Sequence, residues 1–235
     1  PDPDNSEAIV GLFNMNPDMT YKNRNVHWNQ MMSLPRRWTL CERGRLRVEP
    51  AGDIESLRRD HVRVEATDLP TNSEVVLDNV KGNAMELIAQ IDPLNSKMIE
   101  LKVLRAPNEE EYTRILFHPM AGYKLRESVR RKDIRPPIVN HGTLTIDTTR
   151  SSTHPKALSR PPEVAPVLLP APKAPVTLRV FVDRSIVEVF VNDRQVAAVR
   201  VYPRQKNSTG ISIQSIGGNA KLISLDAWQM ENIYK

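Results

Sequence analysis

Apolar and polar positions alternate with a period of two along most of this chain. Met85-Glu-Leu-Ile-Ala-Gln-Ile91 and Met98-Ile-Glu-Leu-Lys-Val-Leu104 follow the rhythm of half-buried strands. Val75-Val-Leu77 is a short apolar run. The same reading predicts strands over 112–117, 143–147, 176–182, 185–191, 196–202, 210–214 and 220–228. The turns between them have matching chemistry. Asp183-Arg184 and Asn192-Asp-Arg194 separate adjacent strands at hairpin spacing, and Gly217-Gly-Asn219 precedes the last strand. Short strands with turn signals every 8–12 residues or so predict a sandwich or barrel.

Two segments break the rhythm. Gly52-Asp-Ile-Glu-Ser-Leu-Arg-Arg59 predicts a short helix, with Asp53 as its cap and Ile54 and Leu57 on one face. Residues 150–175 are rich in proline and read as a surface loop or extended strap. The chain opens on Pro1-Asp-Pro-Asp-Asn-Ser6, and Ala8-Ile-Val-Gly-Leu-Phe13 already reads as a strand. That opening predicts a chain cut from a longer one, with any signal peptide upstream of Pro1.

Composition narrows the class. The 235 residues allow one large domain, or one domain plus part of another. Proline outnumbers glycine 19 to 9, which argues against a helix bundle. No apolar run is long enough for a membrane-spanning helix, so no membrane partner is expected. The single cysteine, Cys41, excludes an internal disulfide framework and a four-thiolate zinc site. It is compatible with export without showing it, so the compartment stays open. The net charge of +5 and pI of 9.4 raise the question of nucleic acid. The densest basic stretch, residues 124–135, lacks interleaved aromatics that would stack bases. It reads as a solvated loop or a charge-guarded strand edge, and no nucleic-acid partner is expected.

The candidate chemistry is sparse. No two of His27, His61, His118, His141 and His154 have the spacing of a metal pair, so no metal and no cofactor are expected. There is no Gly-x-Ser-x-Gly elbow and no glycine-rich phosphate loop. The feature that stands out is Asp183-Arg-Ser185-Ile-Val-Glu188. Alternation puts Ile186, Glu188 and Phe190 on one face and Val187, Val189 and Val191 on the other. Glu188 is thus a carboxylate on an otherwise apolar face, and a buried carboxylate needs a partner.

Two stretches carry a family resemblance. One is Trp28-Asn-Gln-Met-Met-Ser-Leu-Pro-Arg-Arg-Trp-Thr-Leu40, preceded by Ile9-Val-Gly-Leu-Phe-Asn-Met15. The other is Leu178-Arg-Val-Phe-Val-Asp-Arg-Ser-Ile-Val-Glu-Val-Phe-Val-Asn192. They resemble the end of the catalytic domain and the C-terminal domain of glycoside hydrolase family 32, the invertases, levanases, inulinases and related β-fructosidases. They stand in the family's order, about 145 residues apart, room for one sandwich domain. Tyr202-Pro203 and Leu225-Asp-Ala-Trp228 also look like that family. The resemblance implies an all-β fold. The last blade of a five-bladed β-propeller would span residues 1–44, and a linker 45–59. A two-sheet antiparallel sandwich, concanavalin- or jelly-roll-like, would span 60–235.

The resemblance implies hydrolysis of β-fructosides with retention, which takes two carboxyl groups about 5–5.5 Å apart. The family draws these from a Trp-Met-Asn-Asp-Pro-Asn-Gly motif and a Glu-Cys motif, with a further Asp in Arg-Asp-Pro. Cys41-Glu42 runs in the reverse order, Arg59-Asp60 is followed by His61, and Asn16-Pro17-Asp18 lacks the nucleophile's context. No catalytic residue is therefore assigned, and the chain alone is expected to be inert. Trp28 is the candidate substrate contact, by stacking on a sugar face. Trp38 and Trp228 read as core or domain-interface residues. Arg36, Arg37, Asp183, Ser185 and Glu188 read as a structural or domain-interface motif, with Glu188 paired to an arginine such as Arg36 or Arg37. The implied partners are a fructose-containing saccharide, through the longer parent protein, and a second copy in a homodimer through the sandwich. The alternative is a carbohydrate-binding module without catalysis, which would present a row of exposed aromatics. A basic nucleic-acid-binding β-protein is a third reading.

Overall fold

The computed structural model describes residues 2, 7–15, 31–41, 44–120, 140–157 and 160–233. The basic stretch 124–135 lies outside them. Strands are labelled in chain order. A small N-terminal sheet runs β1 (Ala8–Gly11), β4 (Arg36–Cys41), β5 (Arg45–Pro50), and β2 (Asn14–Met15) pairs with β3 (Met31–Met32). A six-stranded sheet runs β13 (Glu163–Leu169), β12 (Asn140–Asp147), β11 (Thr113–His118), β10 (Met98–Arg105), β17 (Gly210–Ile216), β8 (Glu74–Lys81). A seven-stranded sheet runs β16 (Gln195–Arg200), β15 (Ile186–Val191), β14 (Val176–Asp183), β9 (Ala84–Asp92), β18 (Ala220–Met230), β6 (Arg58–Val64), and β7 (Thr67–Leu69) also pairs with β18. All of these strand pairings are antiparallel.

The fold is a sandwich, and its core follows from the period-two pattern. Leu87, Ala89, Leu178, Val180, Val187, Val189 and Leu225 point inward from the larger sheet. They meet Ile99, Leu101, Ile115, Phe117, Leu144 and Ile213 from the other, all fully buried. Strand β10 adds a bulge. Its register against β17 shifts between Lys102 and Arg105, and Leu104 takes a φ of 51°. Consecutive Val103 and Leu104 both enter the core, while Lys102 and Arg105 both reach Glu74 on the outer face, at 2.9 and 3.2 Å. Gly210 sits opposite the bulge. A Cβ there would lie 2.9 Å from the Arg105 carbonyl oxygen, closer than packed carbons come.

The hairpin turns follow their sequence chemistry. Asn192 and Asp193 have φ of 51° and 50°, and Arg194 N–H donates to the Val191 carbonyl at 2.9 Å. Two central residues with positive φ are the type I′ geometry that matches strand twist.

Two expectations are corrected. Residues 53–59 do not form an α-helix. Ile54–Leu57 make a single 3-10 turn, and the Asp53 side chain makes no capping hydrogen bond. The chain must leave that turn at once, because Arg58 already pairs with Met230 as the start of β6. The proline-rich segment is not only a loop. It contains β13, with Ala165, Val167 and Leu169 buried and Pro166 opposite Thr143. Pro166 is tolerated because β13 is the end strand of its sheet. The residues read as a linker start with β5, hydrogen-bonded along β4, and end in β6.

A buried carboxylate ties the loops at one end of the sandwich. Glu111 accepts backbone N–H groups from Thr153, Arg204 and Gln205 at 2.7–3.0 Å, and hydroxyls from Thr153 and Ser208 at 2.8 Å. Burial alone would push this carboxyl up. The donors from Thr153, Gln205 and Arg204 outweigh it and hold the pKa down at about 2, against an ordinary 4.5. A depressed folded-state pKa stabilises the fold above the unfolded value, and the contribution disappears as pH falls through the folded one. Glu111 should therefore contribute about 3 kcal/mol at neutral pH, lost between pH 4.5 and 2. Urea denaturation across that range should show this acid slope in the native protein, and Glu111→Gln should flatten it.

Candidate functional site

Strand β15 has one face in the sandwich core and the other against the N-terminal segment. Val187, Val189 and Val191 enter the main core. Phe190 turns the other way and joins Val48, Ile54 and Phe181 in a second, smaller cluster, with Leu34, Trp38, Val196 and Met230 packed on it. The Phe181 and Phe190 rings meet edge to face at 5.9 Å. Val48 N–H donates to the Asp193 carbonyl at 2.9 Å, joining β5 to the β15–β16 turn.

Glu188 lies at the centre of this junction, 1% exposed. Its Oε2 accepts from Arg36 Nη2 at 2.8 Å, and its Oε1 accepts from Leu34 N–H at 2.6 Å. Arg36 is also buried, and its guanidinium stands 4.8 Å over the Phe13 ring. Ser-Leu-Pro-Arg36 and Ser-Ile-Val-Glu188, distant in sequence, therefore meet as one hydrogen-bonded ion pair. Ser185 joins them through its hydroxyl, 3.3 Å from Met31 Sδ. Arg37 does not. It points to Asp2, a buried carboxylate on the other side of β4. Asp183 is exposed in the β14–β15 hairpin. Trp28 lies outside the described residues. A cleft of about 660 Å³ runs along the junction, walled by Leu34, Ile54, Phe181, Glu188 and Met230.

A second buried carboxylate shares this face, and sequence reasoning missed it. Glu86 on β9 pairs across to Phe181, which pairs across to Glu188. It is fully buried and accepts from Arg58 Nε and Nη2 at 2.8 and 2.9 Å and from Arg179 Nε at 2.6 Å. Donating to Glu86 raises the Arg58 pKa although burial opposes it. Alternation had made Glu86 an ordinary polar-face residue. Only cross-strand register brings Arg179 and Arg58 to it. With two strand spacings between them, Glu86 and Glu188 sit about 10 Å apart along the sheet. Each is committed to arginine, so they do not form the close carboxylate pair that retaining glycoside hydrolysis needs.

Among the described residues, Trp228, Tyr112 and Trp38 are covered and do not make a free platform. Arg58 lies 4.1 Å over the Trp228 ring, and His61 stacks on it at 4.8 Å. Tyr112 is covered by Lys102 and Arg150 at 4.8 and 4.7 Å. Trp38 packs on the second cluster and meets Phe13 edge to face, with ring centroids 5.6 Å apart.

Comparison with known proteins places this geometry. The family described as glycosyl hydrolases family 32 C terminal matches residues 53–229. The chain is 26% identical over 222 residues to a sucrose-6-phosphate hydrolase of Staphylococcus xylosus, covering 94% of this chain and 39% of the relative. It is 24% identical over 212 residues to a levanase of Bacillus subtilis, covering 88% and 28%. It thus spans well under half the length of these curated relatives. The fold is similar to that of fructan 1-exohydrolase IIa from Cichorium intybus, with a TM-score of 0.74, 14% identity, and coverage of 96% of this chain and 45% of that one. A variant of that enzyme in complex with 1-kestose gives a TM-score of 0.73 at 14% identity, with the same coverage.

Removing one partner of the Arg36–Glu188 bridge strands a buried charge. Glu188→Ala should cost about 3–5 kcal/mol in urea denaturation. The double replacement Arg36→Met with Glu188→Leu should cost less than Glu188→Ala alone, because no unpaired charge is left behind.

Proposed function

The chain belongs to the C-terminal family of the glycosyl hydrolases family 32, and from that membership we propose that it is the supporting sandwich of a retaining β-fructosidase acting on sucrose, levan or inulin. In this reading residues 1–44 supply the last blade of the propeller, 45–59 the linker and 60–235 the sandwich. The reacting carboxylates belong to the rest of the propeller. The sandwich acts by position. It holds the final blade through the Glu188 bridge and the Phe181–Phe190 cluster, and so keeps the pocket closed and in register.

The observation that carries this is the junction itself. Both oxygens of Glu188 are engaged, by Arg36 and the Leu34 N–H, and both of Glu86 by Arg58 and Arg179. Carboxylates paired in this way suit docking better than proton transfer to a water or a glycosidic oxygen. Trp28, from the same N-terminal segment, is the proposed sugar contact in the assembled pocket. Dimerisation through the sandwich is part of the proposal, and the molar mass in solution tests it.

The central test compares this chain alone with a protein that also supplies the remaining blades, assayed for fructose release from sucrose, levan and inulin. The chain alone should release none, and the assembled protein should turn over at least one of the three. In the assembled protein Glu188→Ala should shorten the half-life of activity at raised temperature more than it lowers the initial kcat. Fructose release by the isolated chain would overturn the reading, as would an assembled protein indifferent to loss of the bridge.

A further inference from the structure

We infer that this chain carries an oxyanion site in a cleft of about 350 Å³ between the β2 region and β16, beside the Glu188 bridge and sharing Arg36 with it. Three arginines line it, Arg36, Arg160 and Arg200, with one acidic residue, Glu163. Phe13, Asn14, Met15, Ala198 and Val199 complete the wall.

Arg200 carries the argument. It is 6% exposed, on the end strand of the larger sheet, opposite Ile186. Among the described residues its buried Nε and Nη1 have no hydrogen-bond partner, and no carboxylate pairs with it. The Tyr202 ring, 5.2 Å from its centre, offsets part of the charge and accepts none of those N–H groups. Arg36 adds a further buried Nε without a partner, since only its Nη2 is engaged by Glu188. An arginine cannot escape burial by losing its proton, as a lysine can. A buried guanidinium therefore needs an acceptor, and buried polar groups left without one are few in native proteins.

The chemistry that answers all three orphan N–H groups is an oxyanion: the phosphate or carboxylate of a small ligand. Charge-assisted hydrogen bonds to it would be stronger than those water makes in the same space. The cleft lies at the small end of the range for ligand pockets, which suits a ligand little larger than its anionic group. The inference does not depend on fructoside hydrolysis. It concerns only this chain and is tested without turnover.

The experiment is calorimetric titration of this chain at neutral pH and constant low ionic strength, with inorganic phosphate in one arm and acetate in the other. At least one anion should bind saturably with one site per chain. The anion preferred shows whether the natural ligand is phosphorylated or carboxylated. Arg200→Gln should weaken binding about tenfold or more, as loss of a charged hydrogen-bond donor does. Lys221→Gln removes the same charge from an exposed position of β18 and should leave affinity unchanged. Asn14→Asp places a carboxylate at an exposed position of the cleft wall without replacing an arginine and should abolish binding; it decides the matter if Arg200→Gln does not fold. Absence of saturable binding of both anions would overturn the proposal, as would equal affinity in Asn14→Asp.

Discussion

Burying Glu188 is the constraint on which the arrangement of this molecule depends. A carboxylate at 1% exposure is tolerated only if its charge and its lone pairs are met. Here they are met by Arg36 and by the Leu34 N–H, both from the segment that enters β4. That requirement is directional. Hydrophobic contact between Phe190, Phe181, Val48 and Ile54 would tolerate sliding, whereas two short hydrogen bonds to one carboxylate do not. The apolar cluster thus supplies attraction between the N-terminal sheet and the sandwich, and the bridge fixes their register. Glu86 repeats the device one strand beyond Phe181, drawing Arg58 and Arg179 to the same sheet face. Arg58 also begins β6, so the strand that follows the junction is anchored by the same carboxylate.

This design separates two tasks that share one sheet. The inner face of β14, β15 and β9 is aliphatic and belongs to the sandwich core. The outer face carries paired charges and aromatic rings and belongs to the junction. Alternation lets one strand serve both without compromise, because a side chain on one face never competes with its neighbour for space. Glu111 does a comparable job for loops. It gathers donors from residues 153 and 204–208 that no strand pairing would hold together.

How far the sequence displays this depends on the range of the interaction. The faces of β15 were legible, because Ile186, Glu188 and Phe190 alternate with three valines and no other information is needed. The turns were legible too, since Asn192-Asp193 tolerates the positive φ that a tight hairpin requires. Glu188 itself was readable as a charge in need of a partner, and Arg36 was among the candidates. Glu86 and Glu111 were not. Each looks like an ordinary polar residue until the register of distant strands, or the path of distant loops, brings donors to it. The β13 strand was hidden for another reason. Its three prolines before and within the run argue against any sheet, and only its place at a free edge makes Pro166 acceptable. Asp53 misled in the opposite sense. A good capping residue does not make a helix when Arg58 is already claimed by β18.

The two buried glutamates also bear on the proposed supporting role, in which the chemistry lies elsewhere. A catalytic acid must keep a proton ready to give, and a nucleophile must keep a lone pair ready to share. Glu188 and Glu86 have neither freedom. Their oxygens are held by guanidinium and amide donors, and Phe181 stands between them. Loosening those bonds enough for chemistry would free a buried charge and release the junction with it. The features that make these carboxylates good locks are therefore the ones that disqualify them as reagents. A reaction needing two close carboxyl groups has to place them on strands that this face does not own.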